Sequence, residues 1–217
     1  MHPLLPTLQQ GLTGLGLSLA EDQQAQLLAY MDLIAKWTKV YNLTAVRDAN
    51  EMLTHHLLDS LAVIGPLRRE IASLVLPEGQ GLSLLDVGAG AGLPGIVIAI
   101  TCPEISVTCV DTVAKKAAFI QQVAATLKLP NLKGLHARVE SLTQPYDVVC
   151  SRAFASLIDF TTWSKSALAS HGVWMAMKGK HPDQELAVLP ESVKVFHVEQ
   201  LQVPGLDAER CIIWMRG

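Results

Sequence analysis

The spacing of apolar residues along this chain changes period once, near residue 80. Before that point it is helical. After Ser18-Leu-Ala-Glu21, the positions Leu27, Leu28, Met31, Ile34 and Ala35 recur every three or four residues and continue through Trp37 to Tyr41. After Asp48-Ala-Asn-Glu51 the same spacing returns at Met52, Leu53, His56, Leu57, Ser60, Leu61 and Ile64, up to Gly65-Pro66. Both starts fit a capping box, in which a Ser or Asp side chain and a Glu three residues later satisfy free amides of the first turn. Gly-Pro is expected to close the second helix. No strand-like segment precedes residue 82, so residues 1–70 are predicted to form a small helical unit.

Beyond Gly79 the apolar runs are short and of strand length, at 82–87, 105–110, 132–137, 146–151 and 173–178, with helical stretches between them, notably 112–128 and 156–170. That alternation predicts βαβ units and a parallel sheet covered on both faces. The tail differs. Residues 193–203 and 210–215 are two further strands joined by "PGLDAE", too short for a crossover helix, so they should pair as an antiparallel hairpin. Residues 71–217 are therefore expected to form a Rossmann-like α/β domain with a mostly parallel, seven-stranded sheet.

Composition narrows the class without naming a ligand. In 217 residues, half are hydrophobic and 17% charged, which describes a globular chain with a sizeable core. The longest apolar runs are too short to span a bilayer, and the "MHPLLPTLQQ" start carries no Lys or Arg before an apolar run. A cytoplasmic protein without membrane attachment is expected. Cys102, Cys109, Cys150 and Cys211 form no C-x-x-C pair and read as core thiols, and the adjacent His55-His56 has no third ligand at metal spacing. No metal site is expected. The net charge of −3 argues against indiscriminate nucleic-acid binding but leaves room for a local basic patch.

The candidate chemistry centres on "LLDVGAGAGLPGIVIAI", residues 84–100. Gly90-x-Gly92-x-x-Gly95 fits the dinucleotide fingerprint, while Asp86-x-Gly88-x-Gly90 is an equally literal reading. Either way Gly88, Gly90 and Gly92 follow the first strand, where an open α/β sheet binds its ligand. Asp86 favours the second reading. A carboxylate ending the strand is ill suited to a pyrophosphate but suits the cationic amino-acid tail of S-adenosylmethionine. Asp111, ending the second strand, can accept from ribose hydroxyls of either cofactor. The antiparallel tail hairpin is the mark of a methyltransferase sheet, whereas a dinucleotide fold usually stays parallel.

Further short segments surround this loop: "YNLTA" (41–45), "HHLLDSL" (55–61), "VGAGAGLPG" (87–95), "KK" (115–116), "RVE" (138–140), "SRAFASL" (151–157) and "MKGK" (177–180). In this order and spacing the chain resembles the ribosomal RNA small-subunit methyltransferase G family, also called glucose-inhibited division protein B. Ala91, where many members have Pro, and Thr112, where Ser is common, are small departures. The resemblance implies a class I S-adenosylmethionine-dependent methyltransferase that modifies N7 of one guanine in 16S ribosomal RNA, as naked RNA or within the small subunit. It implies cofactor contacts at Gly88, Leu93, the Val139 and Glu140 backbone, and Arg152.

Other candidates come from position alone. Arg152 ends the fourth strand and could donate to guanine O6 or to a phosphate, leaving N7 open. Arg138 and Lys178 are taken to end adjacent strands on one edge, as phosphate or base donors, with Lys180 weaker. Asn42 is either a helix C-cap or an active-site group. His56 and Asp59 read as packing and hydrogen bonding between the two units, and Lys115 and Lys116 as a solvated helix face. Lys36, Lys39, Arg47, Arg68 and Arg69 make the helical unit locally basic, a candidate RNA-facing surface. Because N7 has an in-plane lone pair and no proton to lose, no catalytic base is nominated. A monomer is expected. The alternatives are a methyltransferase of the same fold acting on a protein or small molecule, a cofactor-sensing module without transfer, and a dinucleotide oxidoreductase. No N-P-P-Y motif follows the fourth strand to suggest amine methylation.

Overall fold

The structure is a computed structural model describing residues 2–74, 79–152, 154 and 156–217. Helices come first: α1 (Leu5–Gly14), α2 (Glu21–Tyr41), α3 (Ala49–Met52), a π-helical segment (Leu53–Leu58), α4 (Asp59–Leu61) and α5 (Ile64–Ile71). There follow β1 (Ser83–Val87), α6 (Gly95–Thr101), β2 (Ser106–Asp111), α7 (Ala114–Thr126), β3 (Leu132–His136) and β4 (Tyr146–Arg152). The chain ends with α8 (Leu157–Ser164), β5 (Leu168–Lys178), α9 (Asp183–Ala187), β6 (Lys194–Leu201) and β7 (Arg210–Arg216).

Among the described residues, seven strands form one sheet in the order β3-β2-β1-β4-β5-β7-β6. β1 pairs in parallel with both β2 and β4, β3 is parallel to β2, and β5 is parallel to β4. β7 is antiparallel to β5 and to β6, which is the predicted hairpin, with β7 inserted between the other two. The strand order reverses at β1, so the crevice outside the carboxyl ends of β1, β2 and β4 is the natural ligand site.

The helical unit is welded to one sheet face. Leu8, Leu27, Ile34, Leu53 and Leu61 share a continuous core with Leu84, Ile96, Val107, Phe119 and Ile212, whereas Leu85, Val149, Phe160, Trp174 and Ile213 fill the opposite face. Polar side chains reinforce that packing by capping helix ends. Gln23 Nε2 donates to Ile100 O (2.9 Å) and Arg68 Nη2 to Thr101 O (2.9 Å), carbonyls that α6 leaves unpaired at its C-terminus, and Gln26 Nε2 reaches Leu127 O beyond α7.

Several boundaries differ from the sequence-based expectation. The first box is shifted: Ala20 is the N-cap of α2, and Gln23 Oε1 accepts from its amide, so Ser18 and Glu21 do not form the pair. At the second start Asp48 Oδ1 does accept from Asn50 and Glu51 amides. Gly65-Pro66 does not end a helix but lies in the first turn of α5, where proline's missing N–H costs nothing. The helix expected over 156–170 stops at Ser164, because Leu168 pairs with Tyr146 and is drawn into the sheet. All four cysteines are buried free thiols.

Candidate active site

Two cavities open side by side at the carboxyl ends of the strands. The first, of about 540 Å³, is lined by Val87, Gly88, Val110, Asp111, Thr112, Val113, Lys116, Ala137, Arg138, Val139, Glu140, Arg152, Phe154 and Trp163. Its volume lies in the range of small-molecule and cofactor sites. Local structure explains each wall. β1 ends at Val87 and the chain turns at Gly88 (φ +67°), whose amide donates to Val110 O at 2.9 Å, so bare backbone faces the opening. Asp111, at the end of β2, is nearly buried; its Oδ2 accepts from Gly90 N (2.9 Å) and its Oδ1 from Val113 N (2.8 Å). Beyond β3, Arg138 to Ser141 turn sharply and present Val139 and Glu140. Phe154 packs edge-on to Trp163 with centroids 5.6 Å apart, giving the cavity an aromatic wall.

The glycine loop is held from beneath. Asp86 is fully buried, and its Oδ2 accepts from the Gly95 amide (2.8 Å). A Cβ on Gly95 would collide with Cys109 Sγ and stand 2.8 Å from Asp86 Oδ2, so only glycine permits this approach. Burial pushes the Asp86 carboxyl up to about 7, against the opposing pull of the Gly95 amide and the Arg152 charge. Its Oδ1 has no hydrogen-bond partner among the described residues. From the other side the buried Tyr30 hydroxyl donates to Ala91 O at 2.7 Å, tying the loop to α2.

The second cavity, about 450 Å³, is lined by Val46, His55, His56, Asp59, Arg152, Met177, Lys178, Gly179 and Arg210. Arg152 lines both cavities and so forms their common wall. Its Nη1 donates to Asp59 Oδ2 (3.0 Å) and to His55 O (3.2 Å). Asp59 Oδ1 accepts from Arg210 Nε at 2.7 Å, so one buried carboxylate holds two guanidinium groups. Lys178 Nζ lies 2.9 Å from both Glu185 oxygens. His56 Nε2 and Thr44 Oγ1 are 2.6 Å apart, and burial, helped by the Arg152 charge, lowers the imidazole pKa, keeping the ring neutral.

The structure brings together Gly88, Asp111, Val139, Glu140, Arg138 and Arg152 on the first cavity, and Lys178 with Arg152 on the second. Other expected residues lie elsewhere. Asp86 and Leu93 are buried beneath the loop, and Gly90 and Gly92 shape its turn; none of the four lines either cavity. Asn42 is the left-handed C-cap of α2 (φ 51°), with its Oδ1 accepting from Arg47 Nη2, and it lines neither cavity. The adjacency expected for Arg138 and Lys178 is corrected: β2, β1 and β4 lie between β3 and β5, and each residue serves a different cavity. Lys116 lines the first cavity, 3.7 Å from Asp111, while Lys115 sits 5.3 Å over the Tyr41 ring.

Sequence reasoning passed over Arg210 and Trp163 and left Asp59 as packing. An arginine opening an otherwise apolar strand was the only signal for Arg210, and Trp163 had none. Ala153 and Ala155 of the 151–157 segment lie outside the described residues. Of the basic residues near the helical unit, Arg47 and Arg68 are committed to internal carbonyls and Arg69 to Glu199, whereas Lys36 and Lys39 are exposed. Among the described residues, no group of three or more His, Cys, Asp or Glu could hold a metal, and no helix is long and apolar enough to cross a membrane.

Comparison with known proteins agrees with this geometry. The family model described as rRNA small subunit methyltransferase G matches residues 23–213. A curated relative from Polaromonas sp. (strain JS666), named Ribosomal RNA small subunit methyltransferase G, is 71% identical over 96% of this chain and 92% of its own length. A relative of the same name from Polaromonas naphthalenivorans is 67% identical over 98% of this chain and 96% of its own. Among solved structures, the fold is similar to TrmN from Thermus thermophilus (TM-score 0.55, 17% identity, 72% of this chain and 48% of that one). It is also similar to a SAM-dependent methyltransferase from Aquifex aeolicus (TM-score 0.53, 16% identity, 72% and 92%).

Proposed function

The chain belongs to the ribosomal RNA small-subunit methyltransferase G family, and we propose that it methylates N7 of one guanine in 16S ribosomal RNA with S-adenosylmethionine as donor. The observation that carries this reading is the pair of cavities meeting at Arg152, one suited to a cofactor and the other to an acceptor. The residues of the first cavity fit S-adenosylmethionine: a buried carboxylate at Asp111 for hydroxyls, apolar Val87, Val110 and Val139, an aromatic wall, and the bare backbone of Gly88. When bound, this cofactor supplies an electrophilic methyl group on a sulfonium.

The chain's own part is to bind and orient. The guanine occupies the second cavity, between Val46 and Met177 on its apolar side and Arg152, Lys178 and Arg210 on its polar side. An Arg152 donor to guanine O6 would exclude adenine, whose exocyclic amine would oppose it. Guanine N7 carries a lone pair and no proton, so no side chain need act as a base. Positioning and the local field then supply the acceleration. The helical unit, residues 1–70, is the RNA-facing part, with Lys36 and Lys39 contacting phosphates. The enzyme acts as a monomer, in the cytoplasm where ribosomal subunits are assembled.

The test is transfer of a tritiated methyl group from S-adenosylmethionine to unmodified 16S rRNA and to small subunits, with the modified base mapped. A single labelled N7-methylguanine is expected. Cofactor binding without label on either RNA would sink the acceptor and send the search to proteins and metabolites.

A further inference from the structure

Asp59 stands out once the second cavity is taken as the acceptor site, and its role depends on that proposed function. It is 3% exposed and lies at the end of the π-helical segment, yet it bonds to two strands of the sheet. Its Oδ2 holds Arg152 at the end of β4 and its Oδ1 holds Arg210 at the start of β7. Two guanidinium groups therefore converge on one carboxylate, and the trio keeps a net single positive charge. Removing the carboxylate would leave two like charges facing each other, free to swing apart.

The bonds are asymmetric in a way that bears on chemistry. Asp59 and the His55 carbonyl both take Arg152 Nη1, and among the described residues Nε and Nη2 of that guanidinium have no partner. Arg152 is thus fixed along one edge and unspent along the other, at the wall both cavities share. We infer that Asp59 is a positioning residue for methyl transfer: it holds Arg152 at the boundary between cofactor and acceptor, and Arg210 holds Asp59. The helical unit would then contribute to the reaction through a residue that acts by way of Arg152.

The experiment is a double-mutant cycle on the full-length enzyme, measuring kcat and KM for 16S rRNA or subunits alongside S-adenosylmethionine affinity. Asp59→Asn should lower kcat about 10- to 100-fold with cofactor affinity within about twofold, and Asp59→Glu should recover part of the loss. Combined with Arg152→Gln, Asp59→Asn should add nothing beyond the single Arg152→Gln loss, because one acts through the other. If Asp59→Asn does not fold, Arg210→Gln removes the partly exposed end of the same clamp. It should cost roughly 3- to 10-fold, again without adding to Arg152→Gln. Multiplying losses, an unchanged kcat, or a cofactor affinity that falls in step with kcat would each overturn the inference. A wild-type enzyme that binds S-adenosylmethionine but labels neither RNA would overturn the functional reading, and this inference with it.

Discussion

The two cavities share a wall but are built in opposite ways. The first is assembled from successive strand ends: the turn after β1, Asp111 as the last residue of β2, and Val139 a short step beyond β3. The second draws one wall from a loop of the helical unit, one from the π-helical segment, one from the end of β5 and one from the start of β7. Its central bonds join residues 93 and 151 positions apart. A cofactor pocket common to a fold can be encoded locally, whereas an acceptor pocket particular to one substrate is made where distant parts meet.

The sharpest way to break this comparison is to change one residue on each side. Asp111→Ala should weaken S-adenosylmethionine binding about 10- to 100-fold, since it removes a nearly buried carboxylate that also anchors Gly90 and Val113. Lys178→Ala should lower transfer by roughly the same factor while leaving cofactor affinity within about twofold. Isothermal titration with the cofactor and a methyl-transfer assay read the two effects separately. If Lys178→Ala weakened cofactor binding as much as Asp111→Ala does, the two cavities would be one functional site.

The same contrast governs how far the sequence was legible. The alternation of strands and helices, the glycine turn and the tail hairpin follow from short-range periodicity and chain length between strands, and all three appear as expected. Asp86 was legible as important but not as buried. Residue type alone does not distinguish a carboxylate aimed at a ligand from one pinned beneath a loop by the Gly95 amide. Arg138 and Lys178 were assigned to neighbouring strands because sheet order is a tertiary fact. The Asp59–Arg210 bond had no local trace, and His55-His56 gave no hint that the helix there would open into a π-helical turn.

The two regions should also answer pH differently. The folded Asp86 carboxyl titrates near 7, above its ordinary value of 3.8, so the unfolded chain ionises first as pH rises. Its contribution is fully present below about 3.8 and is lost as pH climbs towards 7, on the order of 2 kcal/mol between pH 5 and 7. His56 has the opposite sign: its lowered pKa makes the unfolded chain take the proton first, so stability is lost as pH falls below 6.5. Asp86→Asn should therefore flatten the decline between pH 5 and 7 in urea-unfolding midpoints and leave the His56 limb intact. A variant whose pH profile overlaid the wild type would mean that Asp86 is ionised in the fold throughout that range.

The smallest expected effect lies outside both cavities, on the exposed end of α2. There Lys39 is solvent-facing beside Tyr41, which is 42% exposed and covered on one side by Lys115. Arg68, equally basic in sequence, spends its guanidinium on the Thr101 carbonyl. If the helical unit meets RNA through phosphates, Lys39→Ala should weaken RNA binding only about two- to threefold. It should also reduce by about one the slope of log affinity against log salt. Arg68→Ala should leave that slope unchanged and lower the unfolding midpoint instead, because it uncaps α6. Filter binding across a salt series, with thermal unfolding of both variants, separates a charge that faces a partner from one that holds the fold. Equal slopes for wild type and Lys39→Ala would remove Lys39 from the RNA surface.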